Sequence, residues 1–402
     1  MSDHYHLYKF LNDRRSGSTH RRFGYQHVHQ YTRAPSTSIL TEDPIQIKHY
    51  DKIFSSAWIS DDRVVVGTKD NKLLAIDTMD HTLTDIPFAI TMPAIPTSSP
   101  TTTKHQQFER EPVTPSSIPS RRFSKCEGIR SLATNPSRTL LAVAVADPPC
   151  VMIYRLPELT FLSTTAQEHR DAVFSVQWID DTAFITGSRD GTMGLWGIGT
   201  AKRWKTSGRV RDVKMMNTHE AASLSSSGNV EIWNIHTQQK ERHMPLWRTR
   251  ELVCMAQQQH LLAVGSQEHV TLLDTRTGRD YRSHMHEFLS QDQDWGVRSL
   301  ELRDHIVTCG GGRGRISFYD VRNHAFVPSS SSGQPYQSVS EGWFDESSHV
   351  YRNYFYGQHR LTPQAVYTLA YSPDNDAKLF TGGGPIQSSL KGCHAALWTC
   401  YN

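Results

Sequence analysis

Several features that mark other protein classes are missing from this 402-residue sequence. No apolar run approaches the roughly 18 residues that a membrane-spanning helix needs. The first ten residues, MSDHYHLYKF, lack the apolar core of a signal peptide. The motifs H-E-x-x-H and G-x-S-x-G and the Walker loop are also absent, which argues against the commonest hydrolase and nucleotide-binding sites. We therefore expect neither a membrane protein nor an enzyme.

Cysteine is scarce, since the chain has 6 cysteines and none of them forms a C-x-x-C pair. Several lie in apolar runs, so we expect buried free thiols rather than disulfides or zinc ligands. The histidine pairs His27/His29 and His284/His286 lie in poorly patterned segments. No metal or other cofactor is expected, and free thiols indicate a cytoplasmic and nuclear protein.

Charge and apolar content are both modest. The formal net charge is +3 and the pI is about 8.5, whereas nucleic-acid-binding domains often have a pI above about 9. Hydrophobic residues make up 37% of the chain, and serine, threonine, glutamine and histidine are plentiful. This balance suits many short, half-buried strands with polar insertions, and an all-β unit of this length is not unusual.

The clearest pattern lies in the segment HRDAVFSVQWIDDTAFITGSRDGTMGLWGI, residues 169–198. It contains three short apolar runs, Val173–Ile179, Ala183–Thr186 and Met193–Trp196. Asp-Asp separates the first two runs, and Ser-Arg-Asp-Gly separates the last two. Short runs rich in β-branched and aromatic residues, bounded by such turns, predict three antiparallel strands, with Gly191 free to adopt a positive φ.

The spacing of His169, Asp190 and Trp196 resembles that of a WD-repeat propeller blade. This resemblance implies a network in which His169, Thr186, Asp190 and Trp196 link their side chains across the blade. These residues then have a structural role, which removes the alternative interpretation of the same Ser, His and Asp side chains as a catalytic triad.

Six other segments repeat the pattern, at about 40-residue intervals once two insertions are removed. The residues that close the third strand of each unit are Ile76, Tyr154, Trp196, Trp233, Leu273, Tyr319 and Trp398. Seven such units close into a circle and leave no long exposed sheet edge. We therefore predict an all-β, seven-bladed WD-repeat β-propeller over residues 51–402.

Three segments fall outside the repeats. Residues 1–50 form an N-terminal arm, in which Tyr5–Arg15 has helical spacing of its apolar residues. Residues 79–127 are rich in Pro, Ser and Thr and are predicted to be a disordered inter-blade insertion. Residues 326–363 form a second insertion, whose many aromatic residues predict that part of it packs back on the propeller.

The loops on one face of the predicted propeller carry most of the notable cations. The residue just before the innermost strand is arginine in three blades and aromatic in three others; in blade order these residues are Phe54, Arg130, Phe174, Arg211, Val253, Arg298 and Tyr367. The neighbouring hairpins add Lys69 and Arg189, and the approaches to the first strands add Lys52 and Arg209. Blade folding requires none of these charges.

Seven cations beside aromatic rings predict a pocket for an acidic ligand at the channel mouth. Arginine suits carboxylates because its planar fork donates two parallel hydrogen bonds. Two other interpretations stay open. The same cations and rings suit a nucleic acid, through phosphate pairing and base stacking, and a general scaffold would bind partners along its sides. The modest net charge and the single cluster of cations favour the compact acidic ligand.

Two blades end in a motif with a known parallel. Leu273–Arg276 (LDTR) and Tyr319–Arg322 (YDVR) resemble the W-D-x-R ending of substrate receptors of cullin-4 RING ubiquitin ligases. Longer stretches, from about Lys52 to Trp398, resemble the associated-factor-twelve family of these receptors. They include NPSRTLLAVAVADPPCVMIYRLPEL, GSRDGTMGLW, GVRSLELRDHIVT, YRNYF, AVYTLAY and KLFTGGGP.

The resemblance implies a non-catalytic receptor that recruits client proteins with acidic, di-glutamate-type C-termini for ubiquitination. It implies that Arg276 and Arg322 face the adaptor, damage-specific DNA-binding protein 1, and that an adaptor-docking helix lies in the N-terminal arm. The cations that fall where the family has cations are Lys52, Lys69, Arg189, Arg209, Arg211 and Arg298. Arg130 stands where the relatives have histidine.

Overall fold

The structure is a computed structural model. It describes residues 40–87, 128–165, 168–197, 200–276, 281–282, 285–292, 295–327, 336–337, 342–355, 363–374 and 378–399.

The described residues form seven antiparallel sheets, in each of which the main strands follow one another in chain order. The inner strands of adjacent sheets are in contact around a closed ring, so the predicted seven-bladed propeller is confirmed. Blades one to three contain β2–β5 (Ile53–Trp58, Arg63–Thr68, Leu73–Asp77, Leu83–Ile86), β6–β9 (Ser131–Thr134, Leu140–Val145, Cys150–Arg155, Thr160–Thr164) and β10–β13 (Val173–Trp178, Phe184–Ser188, Thr192–Gly197, Thr200–Lys205). Blades four and five contain β14–β17 (Val210–Met215, Glu220–Ser225, Asn229–Asn234, Gln239–Pro245) and β18–β21 (Cys254–Gln258, Leu261–Gly265, His269–Asp274, His286–Leu289). Blade six contains β22–β26 (Val297–Arg303, Ile306–Gly311, Arg315–Asp320, Ala325–Phe326, Tyr336–Gln337), and blade seven contains β27–β30 (Trp343–Phe344, Gln364–Tyr371, Lys378–Pro385, Gly392–Thr399) together with β1 (Thr41–Pro44).

The hydrophobic core lies between blades rather than inside any one of them. Val65 and Leu73 of blade one pack in one cluster with Leu141 and Val143 of blade two, and all four side chains are buried. Alternate residues of each strand point to opposite faces of its sheet, and both faces of the middle strands are covered. A single blade therefore has no core of its own.

The predicted side-chain network of the third blade is confirmed. The indole Nε1 of Trp196 donates to Thr186 Oγ1 (2.8 Å), and His169 Nε2 lies 2.7 Å from the same oxygen. His169 Nδ1 lies 3.4 Å from Asp190 Oδ2. Burial opposes ionisation of Asp190, but its hydrogen bonds with His169 and Thr192 outweigh burial and hold the pKa of the carboxyl well below its usual range. The tryptophan bond recurs from Trp233 to Ser223 (3.0 Å) and from Trp398 to Thr381 (3.0 Å).

A second network joins each blade to the next around the channel, and the sequence analysis did not predict it. Every inner strand bears a small polar side chain one residue after the mouth position, and this side chain bonds to the inner strand of the following blade. In blade order the bonds are Ser55 Oγ to Ile129 O (3.0 Å), Val176 N to Ser131 Oγ (3.1 Å), Ser175 Oγ to Val213 O (3.2 Å), Met255 N to Asp212 Oδ2 (2.9 Å), Cys254 Sγ to Val297 O (3.8 Å), Ser299 Oγ to Val366 O (2.8 Å) and the Thr368–Ser56 hydroxyl pair (2.7 Å). These bonds form a closed ring, which we call the inter-blade ring.

Blade seven is completed by the beginning of the described chain. Strand β1 pairs with β30, with Glu42 opposite Trp398 and Pro44 opposite Ala396. The sequence analysis placed residues 41–44 in the N-terminal arm, so the propeller begins earlier than predicted. The physical reason is the exposed edge of β30, whose unpaired backbone groups bind another strand. The predicted helix at Tyr5–Arg15 lies outside the described residues.

The first insertion is shorter than predicted, because its beginning forms a strand of blade one. Strand β5, at Leu83–Ile86, is the outer strand of blade one and falls inside the predicted 79–127 insertion, of which residues 88–127 lie outside the described residues. In the second insertion, β26 pairs with β24 and β27 pairs with β30. A short helix, α1, follows at His349–Phe355. Within its described parts, the second insertion therefore contacts blades six and seven.

Among all the described residues, no helix is long and apolar enough to span a membrane.

The inter-blade ring predicts that Ser299 contributes to the stability of the fold, because its buried hydroxyl donates a hydrogen bond to Val366 O. Replacing Ser299 with alanine removes one buried hydrogen bond and leaves a carbonyl without its donor, so we expect the free energy of unfolding to fall by about 1–3 kcal/mol. Denaturant titration of the purified protein measures this change. Ser163→Ala on the exposed face of β9 is the matched control and should change stability by less than about 0.5 kcal/mol. Equal effects of the two substitutions would contradict the role of the ring.

Candidate functional site: the basic channel mouth

All seven residues that the sequence analysis aligned at the mouth line one central cavity of about 540 Å³. In five blades the aligned residue falls at a register shift between the first two strands; these residues are Phe54, Phe174, Arg211, Arg298 and Tyr367. A β-bulge leaves one residue unpaired and redirects its side chain. The bulges therefore explain how residues next to buried strand positions come to line the channel.

Aromatic rings and arginines alternate around the mouth. The Arg130 guanidinium lies 3.8 Å from the centre of the Phe54 ring and 5.7 Å from that of Phe174. Arg211 lies 5.5 Å from the Phe174 ring, and the Phe54 ring meets Tyr367 edge to face at 5.2 Å. Cation–π contacts hold a guanidinium in place without neutralising its charge.

Arg211 differs from the other mouth cations in having a buried nitrogen without a hydrogen-bond partner. This nitrogen is Nε, and no acidic side chain in the described part of the chain pairs with the guanidinium. Burial lowers the pKa of its guanidinium, and the nearby positive charges of Arg209 and Arg189 lower it further. Among the described residues, the fold thus holds a positive charge that no side chain neutralises, a pattern that is common at functional sites.

Arg298 is held differently. Its Nη2 donates to Glu251 Oε2 (2.6 Å), and its Nε donates to the carbonyl of Trp295 (3.0 Å). Glu251 lies at the solvent edge, with 46% of its side chain exposed, whereas only 17% of Arg298 is exposed. Beside it, burial raises the pKa of Tyr367 to about 12, so the phenol is a neutral hydrogen-bonding group at physiological pH.

The remaining predicted cations do not line the cavity. Arg189 makes a bidentate pair with Asp171 (2.8 and 2.7 Å), and Lys69 bonds to Asp51 (3.2 Å) and to the carbonyl of Ser388 (2.7 Å). Both lie at the rim of the mouth. Arg209 is exposed at the same rim, close enough to Arg211 to depress its pKa.

Lys52 differs most from its predicted position on the ligand-facing surface. Only 2% of it is exposed, and its ammonium donates to the carbonyl of Leu390 and lies 3.3 Å from Asp51 Oδ1. Burial would raise the pKa of Asp51, but Lys52 and Lys69 outweigh burial and lower it. Here Lys52 joins blades one and seven and does not line the cavity.

Below the mouth, the cavity is lined by charged residues that the sequence analysis did not identify. They are Asp212, Lys214 and Glu301. Lys214 and Glu301 each follow a mouth arginine by three residues, a spacing that was visible in the sequence. Glu301 could therefore have been identified from the sequence, because it lies three residues after Arg298 on the inner strand β22. Among the described residues, no group of three or more His, Cys, Asp or Glu side chains is arranged to hold a metal ion.

Arg276 and Arg322 lie on the opposite face of the propeller. Each lies two residues after the last residue of a third strand, and third strands run parallel to the first strands that begin at the mouth. Their amides donate to Asp274 Oδ1 and Asp320 Oδ1, both at 2.9 Å. The Arg276 guanidinium bonds to Asp274 and is 66% exposed, while that of Arg322 bonds to His305. The two blades thus present arginine with the same backbone geometry.

The fold is that of a WD-repeat propeller with a central cavity, and cations surround the opening of that cavity. The family model described as DDB1- and CUL4-associated factor 12 beta propeller matches residues 36–208 and 197–399, and the chain belongs to that family. The predicted resemblance is confirmed. This is a family of β-propeller substrate receptors associated with DDB1 and CUL4, a class that is typically non-catalytic.

The solved structure of U3-55K is also similar to this chain. It aligns with a TM-score of 0.59 over 90% of this chain and 99% of that chain, at 12% sequence identity. At this identity the likeness supports the propeller fold alone.

The contrast between Arg211 and Arg189 predicts opposite effects on stability. Arg211→Gln removes an unpaired, partly buried charge, so we expect the free energy of unfolding to stay within about 0.5 kcal/mol of wild type or to rise. Arg189→Gln breaks the pair with Asp171 and should lower it by about 0.2–1 kcal/mol. Denaturant titrations of both variants measure the difference. A loss at Arg211 larger than that at Arg189 would contradict the assignment of Arg211 as an uncompensated charge.

Proposed function

We propose that this chain is the non-catalytic substrate receptor of a CUL4–DDB1 RING ubiquitin ligase, and that its basic channel mouth binds the acidic C-termini of client proteins. Membership of the associated-factor family supports the ligase assignment. The single observation that carries the ligand assignment is Arg211, which lines the cavity with its charge uncompensated.

The dimensions of the mouth suit a chain end rather than a folded surface. Arg130, Arg211 and Arg298 line a cavity of about 540 Å³, which is within the range of small-ligand sites. A chain that ends in two glutamates brings about three negative charges, counting the terminal carboxylate, to three arginines. Charge-assisted hydrogen bonds of this kind are worth roughly 1.5–3 kcal/mol each. An extended chain end therefore matches the site in charge and in size.

The four described cysteines, Cys150, Cys254, Cys309 and Cys393, are buried free thiols. Burial raises the pKa of each thiol, so the thiolate form is disfavoured. Thiols of this kind suit a reducing compartment, and we propose that the receptor acts in the cytoplasm and nucleus.

Peptide binding tests the acidic-terminus proposal. We expect a peptide that ends in Glu-Glu to bind, and expect its amidated form or a glycine-extended form to bind more weakly. Arg211→Gln or Arg298→Gln should weaken binding by about tenfold to a hundredfold, because each removes a charge-assisted hydrogen bond. Isothermal titration calorimetry measures both comparisons.

Arg155→Gln is the matched control for charge, because Arg155 is exposed at the end of β8, away from the mouth. This variant should bind the Glu-Glu peptide like wild type. If the free acid, the amide and the extended peptide bind alike, or if an oligonucleotide binds better than each of them, the acidic-terminus proposal is wrong.

We further propose that Arg276 and Arg322 contact the DDB1 adaptor on the face opposite the mouth. Changing both to Asp reverses two charges on that face, so we expect loss of DDB1 co-purification with unchanged affinity for the Glu-Glu peptide. Arg203→Asp, on the exposed outer strand β13, is the control for charge reversal. Undiminished co-purification of the double variant would remove these two residues from the interface.

A further inference from the structure

The channel has a second layer of side chains beneath the arginines. It lies three residues further along the inner strands, and a strand rises about 3.3 Å per residue, so it is about 10 Å deeper. Lys214 follows Arg211 at this spacing, and Glu301 follows Arg298. The other residues of this layer that line the cavity are Ala57, Ala133, Gln177 and Ala370.

The two layers differ in charge. The upper layer has three arginines and no acidic residue among its seven mouth positions. The lower layer has one lysine and one glutamate. Asp212 also lines the cavity, but its carboxylate accepts hydrogen bonds from the amides of Val213 (2.8 Å) and Met255 (2.9 Å). The attraction for an acidic group therefore falls steeply from the mouth to the interior.

The Glu301 carboxylate is poorly compensated. No hydrogen bond and no ion pair within 4 Å joins it to a residue in the described ranges. The charged groups that act on it are Lys214, Arg303 and Asp212. Burial raises the pKa of Glu301 and Asp212 raises it further, while Lys214 and Arg303 oppose the rise. A negative charge is thus already disfavoured at this depth, and a second one beside it is disfavoured more strongly.

We propose that Glu301 limits how far an acidic chain end enters the channel. On this basis the site accepts a terminal acidic pair and rejects the same pair when residues follow it. The inference rests on the proposed binding of acidic C-termini. Three added residues span about 10 Å in an extended chain, so they bring the terminal carboxylate from the arginine layer to Glu301. Glu301 is then a specificity-determining residue that enforces recognition of the chain end.

The test uses two peptides, each as the free acid and as the amide. One ends in Glu-Glu and the other in Glu-Glu-Gly-Gly-Gly. For the short peptide, amidation should weaken binding, because it removes a carboxylate from the arginine layer. For the extended peptide, amidation should strengthen binding by about threefold to tenfold, because it removes a charge next to Glu301. Calorimetry on the full chain measures all four affinities.

The Glu301→Gln variant should remove this reversal. The acid and amide forms of the extended peptide should bind this variant with affinities within about twofold of each other. Amidation of the short peptide should still weaken its binding. Glu158→Gln, at an exposed turn after β8, removes the same charge away from the channel and should keep the wild-type pattern.

The outcomes separate the two proposals. If acid and amide forms of the extended peptide bind wild type equally while the short peptide still prefers the acid form, the role of Glu301 is wrong and the proposed function stands. If amidation does not affect the short peptide, the proposed function itself fails. The wild-type comparison does not depend on the folding of any variant.

Discussion

The structure of the channel depends on the hydrogen bonds that join each inner strand to the next. A blade has no core of its own, because the apolar clusters lie between blades, so the position of one blade is set by its neighbours. The inter-blade ring fixes these neighbours next to the channel, where the strands are closest. It uses short side chains, such as Ser55, Ser175 and Ser299, each of which reaches only one carbonyl. The spacing between strands at the mouth is therefore determined by hydrogen-bond lengths, and the cations that line the mouth are held on a rigid frame.

The same frame explains why the mouth residues can vary. One residue before each ring position, a bulge or a loop end turns a side chain into the channel, where mouth residues of neighbouring blades contact one another. These positions hold arginine, phenylalanine, tyrosine or valine without changing the blade. Function is thus carried by residues that the fold does not need, which is the usual relation between a propeller scaffold and its binding site.

The cations at the mouth fall into two groups that only their partners distinguish. Lys52, Lys69 and Arg189 are paired with carboxylates or carbonyls of the loops and hold the rim in shape. Arg130 and Arg211 contact aromatic rings, which do not neutralise their charge. Arg298 lies between these cases, since its partner Glu251 is at the solvent edge. At Arg211 a ligand carboxylate meets no acidic partner among the described residues. At Arg298 it competes with one exposed glutamate, and at Lys52, Lys69 and Arg189 with carboxylates of the loops.

The sequence by itself determined the number of blades, their order and the residues at the mouth. It could do so because each blade repeats the same strand lengths and turn residues, and because the closing position holds an aromatic or aliphatic residue from Ile76 to Trp398. It also identified the network of His169, Thr186, Asp190 and Trp196, whose contacts lie within one repeat. Only the tertiary structure decided which cations line the cavity, because the carbonyls that bind Lys52 and Lys69 lie more than 300 residues away, at Leu390 and Ser388. The same holds for the closing strand at Thr41–Pro44 and for the poorly compensated Glu301, since both depend on which residues other blades bring near them.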